Sequence, residues 1–376
     1  MFKSLAPFLC LIFYFLFSSS VEANTQERSD LNYVFEEGTH GYEVYRIPAI
    51  VKAKSGKLLA FAEARKYKRN GDSGDIDLVL RTSDDHGKTW SKMTVIWDDG
   101  ANTCGNPVPI VDENTGRIHL LLSWNHGDDK WGALTEGKGK DVRRAFYTWS
   151  DDEGESWKEP KEITNSVKDP FWDWYGTGPV HGIQLKKGRY KGRLVSPNYF
   201  TVMKDGKRMD YSHIAFSDDQ GETWLAGAPT KLDGVGECTI AELADGRLIL
   251  NMRASTGTFR KFSISEDGGE TWGDLHTDRS LLDPSCQGSL YSGSWKGRDV
   301  LFFANAANVE RKDMTVKSSF DDGLSWSKEV LIHEGPSAYS DLTVTDRGQI
   351  ALLFEGGKGR PYEGIAIELI DIENLK

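Results

Sequence analysis

The stretch Ser83-Asp84-Asp85-His86-Gly87-Lys88-Thr89-Trp90 decides the fold, because its pattern S-x-D-x-G-x-[ST]-W occurs five times in the chain. The tryptophans that end the five copies stand 67, 67, 48 and 54 residues apart. Five matches to a five-point pattern do not arise by chance, so the chain is built from repeats. We call each copy a box; the other four are Ser150–Trp157, Ser217–Trp224, Ser265–Trp272 and Ser319–Trp326.

Each box has the composition of a hairpin turn. The Asp carboxylate accepts hydrogen bonds from turn amides, and the Gly adopts a positive φ that other residues resist. The Ser and Thr hydroxyls tie the turn further, and the Trp is expected to tuck beneath it. Calcium binding is the functional alternative, but one or two carboxylates give too few oxygens for that ion. The boxes therefore predict structure rather than a metal site.

Short apolar or alternating runs bounded by Gly and Asp lie between the boxes and predict strands. No amphipathic helix of four turns is evident. An all-β chain with this repeat length is typical of a β-propeller, and six blades of about 59 residues, one lacking a box, fit better than five. The run 364–369 is expected to close the ring beside 32–35. The clearest other strand runs are 57–62, 76–80, 118–124, 248–251 and 300–304.

The charge balance limits the partners. With 57 acidic and 46 Lys and Arg residues, the formal net charge is −11. This argues against a general nucleic-acid binder and against polybasic attachment to a membrane. An anionic ligand needs a local cluster of Arg or Lys that works against the overall field.

The N-terminus has the pattern of a signal peptide. Lys3 precedes the apolar run from Phe8 to Phe17, and small residues lead to an expected cut after Ala23. A membrane anchor is the alternative, but the run is short for a spanning helix. We therefore expect residues 1–23 to be removed, 24–376 to form one β-propeller domain, and the protein to be secreted into a periplasmic or extracellular space.

The cysteines and histidines give no metal signal. Cys104, Cys238 and Cys286 remain after the cut, so one disulfide is possible, and no CxxC or zinc-type cluster occurs. We predict no metal and no cofactor.

Two further motifs make the pattern specific. Tyr45-Arg46-Ile47-Pro48 opens the array, and Ser337-Ala338-Tyr339-Ser340-Asp341-Leu342 comes late, with Glu237 and Arg253 between them. Together with the boxes, this chain resembles the exo-sialidases of glycoside hydrolase family 33 over essentially the whole mature sequence. The boxes alone are weak, because other propellers carry them.

The resemblance implies roles at particular positions. The family's arginine triad falls on Arg46, Arg253 and Arg311, and the arginine beside the general acid on Arg65. The loop after Arg65 is about one residue longer than usual, which leaves Asp75 and Asp77 as lesser candidates for the acid. Tyr339 takes the place of the nucleophile, Glu237 that of its partner, and Asp72 that of the general acid. Glu355 takes the place of the glutamate that orients the first arginine, and Tyr199 that of a residue in the pocket wall.

These residue types suit the chemistry of a sialic acid, a ketose with a carboxylate on its anomeric carbon. Three guanidinium groups can hold that carboxylate by charge-assisted bonds. The same carboxylate repels an anionic nucleophile, whereas a neutral phenol avoids the repulsion. A base must take the phenol proton, and an acid must protonate the leaving oxygen.

The resemblance implies a retaining exo-α-sialidase that acts on sialylated glycans as a monomer. A trans-sialidase, an enzyme preferring deaminated sialic acid, and a non-catalytic sialic-acid lectin are the alternatives. A lectin has no need of Tyr339 and Glu237 together. The sequence does not indicate which sialic-acid linkage is preferred. Four further aromatics are equally compatible with a core and a pocket: Trp124, Trp172, Trp174 and Tyr175.

Overall fold

β-Strands make up almost all of the regular structure in this computed structural model, which describes Met1 and residues 31–68, 71–327 and 329–375. Residues from Leu31 onward form one compact unit. The predicted signal peptide with its cut after Ala23, the domain boundary at residue 24 and Cys10 lie outside the described residues. Within those residues, no helix is both long enough and apolar enough to cross a membrane.

Twenty-four strands and two short α-helices follow one another in the described part of the chain, and a 3-10 helix covers Ile372–Leu375. The helices are α1 (Trp131–Thr135) and α2 (Thr164–Val167). The strands are β1 (Tyr33–Glu36), β2 (Val44–Lys52), β3 (Leu58–Arg65), β4 (Ile76–Ser83), β5 (Thr94–Trp97), β6 (Thr103–Val111), β7 (Ile118–Asn125), β8 (Arg144–Ser150), β9 (Lys161–Glu162), β10 (Trp174–Thr177), β11 (Ile183–Gln184), β12 (Leu194–Lys204), β13 (Lys207–Ser217), β14 (Leu225–Ala226), β15 (Val235–Glu242), β16 (Leu248–Ala254), β17 (Phe259–Ser265), β18 (His276–Leu282), β19 (Ser289–Trp295), β20 (Arg298–Ala306), β21 (Lys312–Ser319), β22 (Val330–Val344), β23 (Gln349–Gly356) and β24 (Gly364–Asp371).

These strands pair as six antiparallel blades, which confirms the predicted β-propeller. Blades one to four are β2–β5, β6–β9, β10–β14 and β15–β18. The long strand β22 first pairs with β21 as the outer strand of blade five and then with β23 as the inner strand of blade six. The ring closes where β1 pairs with β24, with Tyr33 opposite Ala366. All predicted strand runs, including the closing pair, coincide with observed strands.

The five boxes form nearly identical turns. In the first, Ser83 Oγ donates to Asp85 Oδ1 (2.8 Å) and accepts from the Gly87 amide (2.8 Å), while Thr89 Oγ1 donates to Asp85 Oδ2 (2.6 Å). Gly87 has the expected positive φ of 91°, preceded by His86 at 65°. The corresponding distances in the other four boxes differ by at most 0.1 Å. The protein's own donors therefore occupy the Asp oxygens.

The absence of a sixth box has a topological cause. Each box connects the third and fourth strands of its blade. In blade six those strands are β24 and β1, which lie at opposite ends of the array and share no hairpin. The strand exchange that closes the ring thus removes the turn that would carry the box.

The core lies between neighbouring blades rather than at the centre. Six apolar clusters separate the six blades, and each box Trp packs against a different cluster. Strand β3 is buried along its whole length because blades cover both of its faces. Cys104, Cys238 and Cys286 are buried and free, so the possible disulfide is not formed.

The inner strand of each blade runs in the same direction along the central channel. The channel therefore has an entry end, where inner strands begin, and an exit end, where they finish. Arg46, Glu237 and Tyr339 lie near the entry end of β2, β15 and the inner part of β22, whereas Lys52 and Glu242 end their strands. This arrangement gathers residues from distant parts of the sequence at one end.

Candidate active site

The predicted catalytic and binding residues meet at the entry end of the channel, where the inner strands are irregular. Bulges interrupt β2 between Arg46 and Ala49, β15 between Val235 and Cys238, and β22 between Ser337 and Ser340. Bulges bend strands and re-aim side chains. They stand at Arg46, Glu237 and Tyr339, so local backbone irregularity directs these side chains.

The bulge in β2 includes backbone strain. Ile47 has a φ of 61°, a conformation that is a true outlier for a β-branched residue. Pro48 follows and has no amide hydrogen to offer the ladder. The Ile47 amide instead donates to Glu355 Oε1 at 2.9 Å. Strain of this kind persists only where the surroundings hold it, and here Glu355 does so.

A cavity of about 770 Å³, which we call the entry cavity, opens at this end. It lies in the size range of small-molecule sites. Its lining includes five of the predicted site residues, namely Asp72, Tyr199, Glu237, Arg253 and Tyr339.

Tyr339 and Glu237 form the central pair of the site. The Tyr339 hydroxyl donates to Glu237 Oε1 at 2.5 Å, and both residues are more than nine-tenths buried. Burial, reinforced by the negative charge of Glu237, raises the pKa of Tyr339 well above its ordinary value. The phenol is therefore neutral in the free protein, and its proton already points at a carboxylate oxygen.

Arg253 connects to both members of this pair. Its Nη1 donates to Glu237 Oε2 at 2.6 Å and to the Tyr339 hydroxyl at 3.2 Å. Burial alone would lower the pKa of Arg253, but the neighbouring Glu237 and Tyr339 raise it further than burial lowers it. Arg253 thus stays cationic beside the oxygen that would carry charge after proton loss.

Arg46 is fixed by Glu355 from the opposite side. Arg46 Nε and Nη2 donate to the two Glu355 oxygens at 2.8 and 3.0 Å, which is a bidentate pair. Glu355 is fully buried and also accepts from the Tyr339 amide at 3.2 Å. One carboxylate therefore positions both the first arginine and the backbone of the tyrosine, as the resemblance implied for its orienting role.

Arg311 completes the cluster of guanidinium groups. Its Cζ lies 5.5 Å from the centre of the Tyr339 ring, and that of Arg46 lies 4.9 Å away. Arg311 Nη1 donates to the Tyr362 hydroxyl at 2.9 Å. Among the described residues Arg311 has no carboxylate partner, whereas Glu355 pairs with Arg46 and Glu237 pairs with Arg253. The triad with its two glutamates therefore keeps one net positive charge for an anionic ligand.

Asp72 lies across the cavity, in the loop after β3. Arg65 Nη2 lies 2.9 Å from Asp72 Oδ1, and Arg46 Nη1 lies 4.0 Å from the same atom. Arg65 is itself held by Glu63 at 2.6 Å. Desolvation raises the pKa of Asp72, but Arg65 and Arg46 outweigh it, so this pKa lies below its ordinary value. The carboxyl group is ionised in the free protein, and its side chain is 70% exposed.

The two lesser candidates for the acid lie elsewhere. Asp77 is fully buried in β4, where it accepts from the Tyr42 hydroxyl at 2.5 Å. Asp75 precedes β4, and its carbonyl accepts the Lys66 amide at 3.1 Å. Neither lines the entry cavity, so Asp72 alone of the three faces it.

The aromatic residues divide between wall and core. Tyr199 and Trp174 line the entry cavity, and Trp174 Nε1 donates to the Tyr199 hydroxyl at 3.2 Å. Burial, together with the charge of Glu237, raises the pKa of Tyr199 to about 12. Trp172 instead stacks on Phe200 in the core. Tyr175 is buried there, and Trp124 donates to Asp99.

Several residues around the site were not predicted from the sequence. Tyr362 supports Arg311, and Arg46 Cζ lies 4.3 Å above its ring. Trp131 of α1 lines the cavity beneath Arg208, whose Cζ lies 4.7 Å from the ring centre. Arg208 is paired with the buried Asp210 at 2.8 Å. None of these residues stands in a repeated motif, so the sequence offered no signal for them.

Comparison with known proteins agrees with this geometry. The family described as "BNR repeat-like domain" matches residues 56–352. The chain is 32% identical to a sialidase of Bacteroides fragilis, over 85% of this chain and 61% of that protein. It is 32% identical to an exo-alpha-sialidase of Aspergillus fumigatus, over 84% of this chain and 79% of that protein.

Solved structures give the same relationship. A structure described as "Hadza microbial sialidase Hz136" is 31% identical with a TM-score of 0.82, covering 92% of this chain and 69% of that one. A leech intramolecular trans-sialidase, at 18% identity and a TM-score of 0.79, shares the fold. The chain spans 61% of the Bacteroides relative and 52% of a Micromonospora viridifaciens sialidase that is 31% identical to it.

Proposed function

This chain belongs to the sialidases of glycoside hydrolase family 33, and from that membership we propose that it is a retaining exo-α-sialidase. The observation that carries the proposal is the Tyr339–Glu237 hydrogen bond of 2.5 Å beneath three guanidinium groups. A site that only bound a carboxylate would need the arginines but no activated phenol.

The arginine triad is proposed to bind the substrate carboxylate. Arg311 supplies an uncompensated charge, and Arg46 and Arg253 supply oriented donors held by Glu355 and Glu237. A carboxylate bonded to the three groups would place the anomeric carbon beside it over the Tyr339 hydroxyl. This positioning replaces a bimolecular encounter with a fixed geometry.

In the first step the Tyr339 oxygen attacks the anomeric carbon while its proton moves to Glu237 Oε1. The bond from that carbon to the leaving oxygen breaks, and Asp72 gives its proton to that oxygen. Arg253, at 3.2 Å from the Tyr339 hydroxyl, stabilises the negative charge that grows there. The product is a glycosyl group bonded to Tyr339 and a free aglycone.

Asp72 has to gain a proton before it can act as the acid. In the free protein Arg65 and Arg46 keep its pKa low. A bound carboxylate offsets the positive charge of Arg46, and the sugar covers the exposed carboxyl, so both effects raise the Asp72 pKa. Substrate binding is therefore expected to be accompanied by uptake of a proton at Asp72.

In the second step water attacks the anomeric carbon and gives a proton to Asp72. The bond to Tyr339 breaks, and Glu237 returns the proton to the phenol. Two successive displacements at the anomeric carbon give net retention of its configuration. Sialylated glycans are the proposed substrates, and the predicted signal sequence supports secretion as part of the same proposal.

One experiment tests the activity directly. A fluorogenic α-ketoside of N-acetylneuraminic acid should be cleaved by the purified chain, and NMR of the earliest product should show the α anomer. Binding of the sugar without cleavage would favour the lectin instead, and the β anomer as first product would exclude the tyrosine-linked path.

A further inference from the structure

The backbone that carries Tyr339 has one edge paired with a strand and one edge open. On the paired edge, Glu355 of β23 accepts the Tyr339 amide at 3.2 Å. The backbone groups of consecutive residues in a strand point to opposite edges, so those of Ser340 point to the other edge. The pairing of β22 with β21 ends at Pro336, and no strand covers the second edge at Ser340 in the described part of the chain.

The side chain of Gln287 takes the place of a partner strand on this open edge. Its Oε1 accepts the Ser340 amide at 3.0 Å, and its Nε2 donates to the Ser340 carbonyl at 2.8 Å. Nε2 also donates to the Gly288 carbonyl at 3.1 Å. Gln287 is 1% exposed and Ser340 is fully buried. One side-chain amide therefore satisfies two backbone groups that are cut off from water.

Gln287 stands on a short connection between β18 and β19, residues 283–287, which we call the support segment. Asp283 Oδ1 accepts the Cys286 amide at 2.8 Å, and Arg260 Nη1 donates to the Cys286 carbonyl at 2.6 Å. Arg260 Nη1 also lies 3.3 Å from Asp283 Oδ2. Arg260, Asp283 and Cys286 are all fully buried. Because the groups that hold this segment are enclosed, the Gln287 amide has a fixed position.

The support segment also contacts two arginines of the triad through Ser285. The Ser285 backbone has a φ of 54°, and its Oγ donates to the Ala254 carbonyl at 2.9 Å. The same Oγ lies 3.4 Å from Arg253 Nε, and the Ser285 carbonyl lies 3.4 Å from Arg311 Nη2. One segment thus joins the backbone beside the nucleophile to the groups proposed to bind the substrate carboxylate.

The chemistry depends on the distance between these two parts of the site. The arginines fix the anomeric carbon, and a misplacement of the attacking oxygen by about 1 Å can cost about 100-fold in rate. Gln287 does not line the entry cavity, so it acts only through the backbone. We propose that Gln287 is a positioning residue, whose amide holds the Tyr339 strand in line with the arginine triad. This inference rests on the proposed sialidase function.

Gln287→Met tests the inference, because it keeps the length of the side chain and removes both polar groups. With the fluorogenic sialoside, kcat should fall about 100-fold, since the Tyr339 strand loses its second support. KM should stay within about twofold of the wild-type value, because no contact of the arginines involves the Gln287 side chain.

Gln184→Met is the matched control at the exit end of the channel. The Gln184 amide also makes two short hydrogen bonds: its Nε2 donates to Asp112 Oδ1 at 2.8 Å, and its Oε1 accepts the Glu113 amide at 2.9 Å. Both Met variants should lower the melting temperature, but only Gln287→Met should lower kcat. Wild-type turnover reports on the sialidase proposal by itself, whereas this inference depends on the ratio of variant to wild type.

Gln287→Glu gives a second readout that a merely structural role would not move. When ionised, the new carboxyl cannot donate to the Ser340 carbonyl; when protonated, it donates as the amide does. The ratio of its kcat to that of wild type should therefore rise as the pH falls, whereas the ratio for Gln287→Met should not change with pH. A Gln287→Met protein with the kcat of wild type, or a Gln287→Glu ratio that is independent of pH, would overturn the proposal.

Discussion

Glu355→Gln is the substitution whose effect follows most directly from the contacts. The buried carboxylate accepts from Arg46 Nε, Arg46 Nη2, the Ile47 amide and the Tyr339 amide. A glutamine oxygen can keep the two bonds at Oε1. The amide nitrogen would then face two donors, Arg46 Nη2 and the Tyr339 amide, and Arg46 would lose its counter-ion.

The magnitude follows from these losses. Each lost bond to a charged acceptor is worth about 1.5–3 kcal/mol, which gives about 3–6 kcal/mol for the pair. Breaking a buried ion pair by removing one partner costs about 3–5 kcal/mol. The two estimates agree near 4 kcal/mol. A domain of this size loses about 2 °C per kcal/mol, so the melting temperature should fall by about 8 °C.

Calorimetry and steady-state kinetics check the expectation together. KM should rise and kcat should fall, because Arg46 and the Tyr339 backbone both lose their support. Glu368→Gln is the matched control: Glu368 lies on the adjacent strand β24 and makes no ion pair within the described residues, so its melting temperature should not fall. The reasoning is refuted if Glu355→Gln melts and binds substrate like wild type.

Four further outcomes are expected. Tyr339→Phe should lower kcat by several powers of ten while the protein stays folded, because nucleophile and base act as a unit; retention of a tenth of the activity would exclude Tyr339. Arg311→Ala should raise KM about 30-fold, equivalent to about 2 kcal/mol, and equal turnover of a sialoside and its carboxamide would contradict the carboxylate clamp. Asp72→Ala should slow cleavage of sialyl-lactose far more than that of a methylumbelliferyl sialoside, whereas Asp75→Ala and Asp77→Ala should affect both alike. The pH profile of kcat/KM reports the free protein, in which Asp72 is ionised, and that of kcat reports the complex, in which Asp72 is protonated. As the pH rises, kcat/KM should therefore begin to fall at a lower pH than kcat does. If the two profiles coincide, no proton is taken up at Asp72 on binding.

The fold was predictable because its signal is local. Ser83, Asp85, Gly87 and Thr89 satisfy one another within a single turn, so eight residues specify a hairpin wherever they occur. The number of blades could not be counted from the boxes alone, because the blade that closes the ring has no hairpin between its third and fourth strands and therefore no box. No sequence pattern predicted that β22 would contribute to two blades.

The site was accessible only through a resemblance. Tyr339 and Glu237 are 102 residues apart, and no spacing rule brings them within 2.5 Å. The bulges that aim them arise from tertiary contacts such as those of Glu355. Tyr362 and Trp131 were not predicted, because the sequence does not distinguish an aromatic residue of the core from one at a binding site when it stands outside a motif.

The strand exchange in blade six also bears on how the chain acquires its structure. β1 is synthesised first, but its partner β24 follows more than three hundred residues later. At ribosomal rates of about 5–20 residues per second, β1 stays without its partner for roughly 15–60 s. Until the two ends meet, the nascent chain exposes the open edge of an incomplete sheet, the kind of surface that templates aggregation. A circular permutant that joins the two ends and opens the chain inside a box would make the β1–β24 pairing a local hairpin. The two strands beside the opened box would then become the late, non-local pair, so the permutant should refold at a rate close to that of the parent chain.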